Sequence, residues 1–147
     1  MLARTAALAL GLALFASPAL AADPCTAIPD SGRPWPSYLV KDKPFRGAVS
    51  HIIDGDGLCV ATGNGSNTWV EVRLQNFFAP ELNEGGRHAQ EVLRRIAFGK
   101  SIICVPLPGR NGRIDSYDRV IARCQIGNRD LGDLMRGAGV REGGKGR

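Results

Sequence analysis

A single amphipathic helix pattern between short strand-like segments constrains the fold of this 147-residue chain more than any other feature. Between residues 89 and 97, Glu91, Arg94 and Arg95 all lie off one apolar face of helical spacing. That face is made by Ala89, Val92, Leu93, Ile96 and Ala97. Gly99 follows as a C-terminal cap, so the pattern predicts one helix that ends there.

Short strand-like segments lie on both sides of this helix. They cover residues 45–53, 58–61, 68–74, 101–107 and 119–126. Asp130 then caps a short second helix through Leu131, Leu134 and Met135. Five short strands with one helix between the third and fourth predict a mainly β fold with some α structure, namely a five-stranded OB-type barrel with a short C-terminal helix. Another small α+β sheet is the alternative.

Residues 1–21 have the pattern of a secretory signal peptide. A positive charge lies in residues 1–4, an apolar run covers residues 8–16, and small residues at 19–21 predict cleavage after Ala21. The apolar run is shorter than a bilayer-spanning helix requires. We therefore expect a periplasmic or secreted protein with no membrane anchor after cleavage.

The remainder of the chain divides into three segments. Residues 22–44 contain five prolines, which predict an irregular leader laid over the domain, with Trp35 and Tyr38 as buried anchors. Residues 45–141 are the predicted folded domain. Residues 142–147 are expected to be a flexible basic tail.

The four cysteines of an exported chain predict two disulfides. Strands four and five are expected to form a hairpin, so Cys104 is predicted to pair with Cys124 across it. Cys25 would then bridge to Cys59 and tie the leader to the barrel. No CxxC pair is present, and the two histidines are not at ligand spacing from the cysteines, so a zinc site is not expected.

The charge balance is compatible with an anionic partner. Nineteen Lys and Arg residues against fourteen Asp and Glu residues give a net charge of +5. Such a balance suits nucleic acid, phosphate or anionic lipid, although it also serves solubility. Only 6% of the residues are aromatic, which argues against a broad base-stacking platform.

Three clusters carry residue types suited to phosphate chemistry. Asp54 and Asp56 place two carboxylates on one turn, a pattern that suits a hard cation such as Ca²⁺ or, equally, a plain hairpin turn. Residues 73–81 begin with an arginine and end with a glutamate after a proline. Residues 115–119 place another arginine at the start of the fifth strand.

Together these clusters resemble the motifs of the staphylococcal nuclease (thermonuclease) family, from about Phe45 to Val140. The first motif appears at residues 52–58, and the second at residues 72–74 and 79–81. The third motif is matched at Asp115, Tyr117 and Arg119. Further matches lie at Gly86, Ala89, Leu93, Gly99, Gly127, Asp130, Leu131 and Gly137.

The resemblance implies Ca²⁺-dependent hydrolysis of phosphodiester bonds in DNA and RNA by a protein expected to be a monomer. It implies that Glu81 is the general base that activates water. Arg73 and Arg119 would bind the phosphate and stabilise the charge of the transition state. Tyr117 would contact a phosphate of the bound nucleotide.

The resemblance also implies a set of metal ligands. Asp56 and the backbone carbonyl of Ala79 would ligate Ca²⁺, and Asp54 would support them from outside the ligand shell. The family carries a second metal-ligating aspartate two residues before the proline, where this chain has Phe78. Loss of a carboxylate predicts weak Ca²⁺ binding, or use of another divalent cation. Gln75 or Asn76 is the candidate for a substitute oxygen.

Two further positions depart from the family pattern. Gly57 replaces a threonine or serine beside the metal turn, and Asp118 replaces a glycine where it could pair with Arg119. A secreted nuclease with an altered metal site is the function predicted from the retained residues. The alternatives are a catalytically inactive nuclease-fold module that binds nucleic acid or a protein partner, which Phe78 favours, and an oligosaccharide-binding OB barrel.

Overall fold

The structure is a computed structural model, and it describes residues 22–143. The predicted signal peptide and residues 144–147 of the predicted tail lie outside the described residues. Within residues 22–143, no helix is long and apolar enough to cross a membrane.

Five of the seven strands in the described residues form a closed barrel. The strands are β1 (Phe45–Ile52), β2 (Gly57–Ala61), β3 (Trp69–Leu74), β4 (Ser101–Pro106), β5 (Asp115–Ser116), β6 (Arg119–Ile126) and β7 (Arg129–Asp130). The two-residue strands β5 and β7 each pair with β6. The barrel order is β1-β2-β3-β6-β4, and β4 pairs back with β1. All of its pairings are antiparallel except β3–β6, which is parallel with Val72 opposite Val120. The predicted mainly β, OB-type barrel is therefore confirmed.

Both predicted helices are present. Helix α1 (Gly86–Ala97) lies between β3 and β4, and helix α2 (Leu131–Gly137) follows β7. The Asp130 side chain accepts a hydrogen bond from the Asp133 N–H at 3.0 Å and caps α2 as predicted. Helix α1 begins before its apolar stripe and ends at Ala97, with Phe98 as its C-terminal cap; the predicted cap Gly99 is the next residue and has φ of 74°.

Alternation along the strands divides the barrel into a packed interior and an outer face. In β3, Val70, Val72 and Leu74 are buried in the core, where α1 covers one end of the barrel. The intervening residues of β3 therefore point outward, including Glu71 and Arg73. This outer face carries the candidate site.

The leader packs on the barrel, but not through both predicted anchors. Trp35 is partly buried against the core, whereas Tyr38 is 42% exposed, so the prediction of burial for Tyr38 was wrong. Cys25, Ile28 and Leu39 are the buried residues of the leader. Compact aliphatic side chains fit under the segment, whereas the Tyr38 hydroxyl keeps a surface contact with Thr62 at 3.2 Å.

Both predicted disulfides are present. Cys104 and Cys124 lie directly opposite each other in the β4–β6 pairing, with Cα atoms 4.1 Å apart. Cys25 is joined to Cys59, with Cα atoms 5.6 Å apart, so the leader is covalently attached to β2. The Ala27 N–H also donates to the Trp69 carbonyl at 3.0 Å.

Removal of the Cys104–Cys124 bridge should lower the free energy of unfolding. The bridge joins residues 20 positions apart. A crosslink over a loop of that length lowers the conformational entropy of the unfolded chain, which stabilises the folded state by about 3 kcal/mol. Urea unfolding of the Cys104→Ala/Cys124→Ala double variant, beside the oxidised wild type, measures the loss. Peptide mapping is the control for the pairing itself, since a Cys25–Cys104 peptide from the oxidised protein would contradict it.

Candidate functional site

The candidate site is built on the outer face of the parallel β3–β6 pair. Arg73 lies opposite Ile121 in the register, which places Arg119 beside Glu71. Arg73 and Arg119 are therefore diagonal neighbours on adjacent strands, with Cα atoms about 8 Å apart from the strand spacing and rise. A single phosphate group held between the two long side chains is within reach of both.

Asp56 is the most deeply buried charged side chain of the site, with 5% of its surface exposed. Its Oδ2 accepts a hydrogen bond from the Ala79 N–H at 3.0 Å and lies 3.7 Å from Arg73 Nη2. Its own N–H donates to Asp54 Oδ1 at 3.0 Å. Asp54, Asp56, Arg73 and Ala79, all predicted site residues, are thus brought together by direct contacts.

Two glycines allow the turn that carries these carboxylates. A Cβ at Gly55 would lie 2.5 Å and 2.6 Å from the Cβ atoms of Ala79 and Ala89, so the turn packs directly on the following loop and on α1. A Cβ at Gly57 would lie 2.8 Å from Asp54 Oδ1. The turn therefore has no room for a larger residue at position 57 without movement of Asp54.

Burial and charge repulsion together perturb Asp56. Desolvation by burial and, next, the neighbouring Asp54 carboxylate raise the pKa of Asp56, whereas Arg73 and the Ala79 N–H oppose the rise, and the net result is a pKa of about 6. Protonation of Asp56 is therefore easier than that of an ordinary aspartate. A cation bound between the two acids would relieve the same repulsion.

Glu71 is a site residue that sequence reasoning missed. It is 7% exposed, and its Oε1 lies 3.9 Å from Arg119 Nε. Burial, followed by the charge of Asp23, raises the pKa of Glu71 to about 7, and Arg119 acts in the opposite direction. Among residues 22–143, the ion pair of Arg119 is with Glu71 rather than with the predicted partner Asp118.

The leader supplies a wall of the site. Asp23 has a carboxylate oxygen within 4.8 Å of a Glu71 oxygen, and it also lies within that distance of Asp30 and Asp118. The Cys25 N–H donates to Asp23 Oδ1 at 2.8 Å, so the disulfide-linked end of the leader holds this acid in place. The face beside Arg119 is consequently acidic as well as basic.

Two predicted residues, Glu81 and Tyr117, are exposed, and each lies two residues along the chain from a residue of the site, Ala79 and Arg119 respectively. Glu81 begins the short turn after Pro80, and its carbonyl accepts hydrogen bonds from Glu84 and Gly86 at 2.8 Å and 2.9 Å. Its side chain is exposed. Tyr117 is 83% exposed with φ of 60°, at the turn that precedes Arg119.

The two residues proposed to replace the missing metal ligand serve other purposes. The Gln75 Nε2 donates to the Pro108 carbonyl at 3.3 Å, and the Asn76 Nδ2 donates to Asp130 Oδ1 at 2.9 Å. Asn76 Oδ1 is buried close to Gly132 of α2, without a hydrogen-bond partner in the described part of the chain. Asn76 therefore holds the start of α2, and the prediction of a substitute oxygen gains no support.

Phe78 lies at the wall of a pocket beside Arg73 rather than in the core. The pocket has a volume of about 280 Å³. The guanidinium carbon of Arg110 lies 5.4 Å from the centroid of the Phe78 ring. The Phe78 N–H donates to Glu142 Oε1 at 3.0 Å, which anchors the loop on the C-terminal segment.

Comparison with known proteins leaves the family open. The chain matches none of the protein-family models and none of the curated proteins with which it was compared. The resemblance to the staphylococcal nuclease family accordingly rests on the motif residues of the sequence.

Glu71 should make stability depend on pH. Its pKa rises from an ordinary 4.5 to about 7 on folding, so the folded chain binds the proton more tightly, and the free energy of unfolding falls as pH rises from about 5 to 7. Glu71→Gln should reduce this fall by an amount on the order of 1 kcal/mol. Urea unfolding at pH 5 and pH 7.5 measures it.

The exposed Glu84 offers a matched control, since Glu84→Gln removes one carboxylate outside the site. An unchanged pH dependence in the Glu71→Gln protein would mean that this carboxylate ionises in the folded state as it does in the unfolded chain.

Proposed function

We propose that this protein is a phosphodiesterase of the staphylococcal nuclease type that hydrolyses DNA or RNA. The observation that carries the proposal is the arrangement of Arg73 and Arg119 on one outer face of adjacent parallel strands, with the buried Asp56 3.7 Å from Arg73. Planar guanidinium groups bind phosphate oxygens in pairs, and two of them offset the charge that develops during attack at phosphorus. The two disulfides and the signal pattern support a periplasmic or secreted location.

In this mechanism Glu81 acts as the general base. Its carboxylate takes a proton from a water molecule as the water oxygen forms a bond to phosphorus. The bond between phosphorus and the leaving oxygen then breaks, and that oxygen takes up a proton from solvent. The exposed position of Glu81 beside Ala79 and Pro80 leaves it accessible to water and substrate.

Glu71 modulates the availability of Arg119 in this scheme. A carboxylate 3.9 Å from the guanidinium competes with a phosphate for the same cation. Since burial raises the pKa of Glu71 to about 7, part of the population is neutral near neutral pH, and the competition is weaker there. Arg73 is held in the same way by Asp56 at 3.7 Å.

The residues around Asp56 fit a divalent cation with few protein ligands. Asp54 and Asp56 supply two carboxylates at one turn, and their mutual repulsion favours a bound cation. Ala79 contacts Asp56 through its N–H, and Phe78 supplies no oxygen. Asp54 and Asp56 would hold a Ca²⁺ or other divalent cation, and such a cation would polarise the phosphate.

An inactive module that binds nucleic acid is the second candidate. The observation that favours it is Phe78, which stands at the position of a metal-ligating acid and is stacked against Arg110. Such a module would keep the phosphate contacts of the two arginines without turnover. Hydrolysis assays separate the two candidates directly.

Replacement of the general base should abolish most of the activity. Single-stranded DNA is incubated with the oxidised protein lacking residues 1–21, in millimolar Ca²⁺, Mn²⁺ or Mg²⁺ and with a chelator. We expect cleavage that the chelator abolishes, and Glu81→Gln should reduce its rate by about 10²- to 10⁴-fold. Glu84→Gln, three residues away on the same exposed turn, is the control and should cleave like the wild type.

The absence of cleavage by the folded wild type with all three cations would overturn the enzymatic proposal. Binding of the same DNA, measured in chelator, would then support the inactive module instead.

A further inference from the structure

The pocket beside Arg73 has features that the proposed hydrolysis does not use. Among the residues that line it are Arg73, Gln75, Phe78, Gly109, Arg110 and Ile121, and we call it the Phe78 pocket. It opens between the end of β3 and the loop that joins β4 to β5. Its volume of about 280 Å³ is just below the range for small-molecule sites, about 300–1,000 Å³, which suits one nucleotide unit rather than a larger ligand.

Phe78 and its neighbour Phe77 have different environments. Phe77 is fully buried in the hydrophobic core, whereas Phe78 is only partly buried and packs outside the core cluster. The backbone of Phe78 is fixed, because its N–H donates to Glu142 Oε1 and its carbonyl accepts from the Gly143 N–H. Its large aromatic side chain lies outside the core cluster and is therefore available for contact with a ligand. Its ring faces the Arg110 guanidinium at 5.4 Å.

The stacked pair has the chemistry of a base-binding surface. Aromatic rings and guanidinium planes both stack on nucleobases, and such stacking tolerates any base because every base has a π face. The loop that carries Arg110 is held close to the barrel, since a Cβ at Gly109 would lie 2.8 Å from Ile121 Cδ1. The pocket wall is therefore preformed on this side.

Arg73 connects the pocket to the phosphate site. It lines the Phe78 pocket and also lies 3.7 Å from Asp56, so a phosphate bound to Arg73 has its own nucleoside next to the pocket. A base inside a duplex is stacked between its neighbours and is not available to such a pocket, whereas a base of a single strand is.

We propose that Phe78 and Arg110 form a stacking subsite for the base attached to the phosphate at Arg73, so that the protein prefers unpaired strands of nucleic acid. This subsite rests on the proposed function, because it assigns the nucleoside of the same substrate. It also gives the phenylalanine at position 78 a role in place of the metal ligand that the resemblance implies.

Calorimetric binding in chelator tests the subsite without cleavage. The probes are a single-stranded thymidine hexanucleotide, an abasic hexamer with the same phosphates, and a hexamer duplex. The wild type should bind the hexanucleotide more tightly than either of the other two. Phe78→Leu should weaken hexanucleotide binding by about 5- to 100-fold and leave binding of the abasic hexamer unchanged. Phe78→Trp keeps an aromatic ring and should bind the hexanucleotide about as tightly as the wild type.

Two further variants keep the result interpretable. Arg110→Lys keeps the positive charge at this exposed position but removes the planar guanidinium. It should therefore weaken binding of the hexanucleotide and leave binding of the abasic hexamer unchanged. Phe98→Leu is the matched control, because Arg94 stacks on the exposed Phe98 ring at 5.9 Å elsewhere on the surface. It should leave all binding unchanged.

Equal affinity of the wild type for the hexanucleotide and the abasic hexamer would overturn the subsite. Unchanged hexanucleotide binding by both Phe78→Leu and Arg110→Lys would do the same. If the wild type cleaves DNA but both variants bind the hexanucleotide as tightly as the wild type does, only the subsite is wrong. If the wild type binds the hexanucleotide more tightly than the abasic hexamer but cleaves neither, only the enzymatic proposal is wrong.

Discussion

The parallel pairing of β3 with β6 is the interaction on which the rest of the structure depends. It closes the barrel through Val72 and Val120, and the same register places Arg73 and Arg119 on one outer face. The two arginines come from distant parts of the chain, so they become neighbours only when the barrel closes. A one-residue slip of either strand in this pairing would turn the arginine of that strand toward the core, where a charge is strongly disfavoured.

Buried acids on this face oppose stability, which supports a functional reason for their presence. Asp56 and Glu71 are almost fully buried, and each has an arginine at 3.7–3.9 Å. Ion pairs of this kind often recover less than the free energy lost on desolvation, and apolar residues of similar size often serve stability as well or better. The pKa of each acid is raised because the cost of desolvating the carboxylate exceeds the attraction of the arginine. A site that binds and releases anions requires cations held by partners that can be displaced.

Prediction from sequence was most accurate where local pattern and covalent chemistry decide the outcome. Strand alternation, the amphipathic stripe of α1 and the Asp130 cap were all recognisable without tertiary information. Both disulfides followed from the strand order and the number of cysteines. The Tyr38 anchor failed because a proline-rich segment has no periodicity that distinguishes its buried side from its exposed side.

By itself, the sequence determined the order of the elements, the face of β3 that carries Arg73, and the turn that holds Asp54 and Asp56. Alternation within β3 also puts Glu71 on that face, but only barrel closure puts it beside Arg119. The stacking of Arg110 on Phe78 was likewise decided by tertiary structure alone. Period and propensity depend on neighbours along the chain, whereas burial, the pKa shifts and the pocket depend on which distant segments pack together.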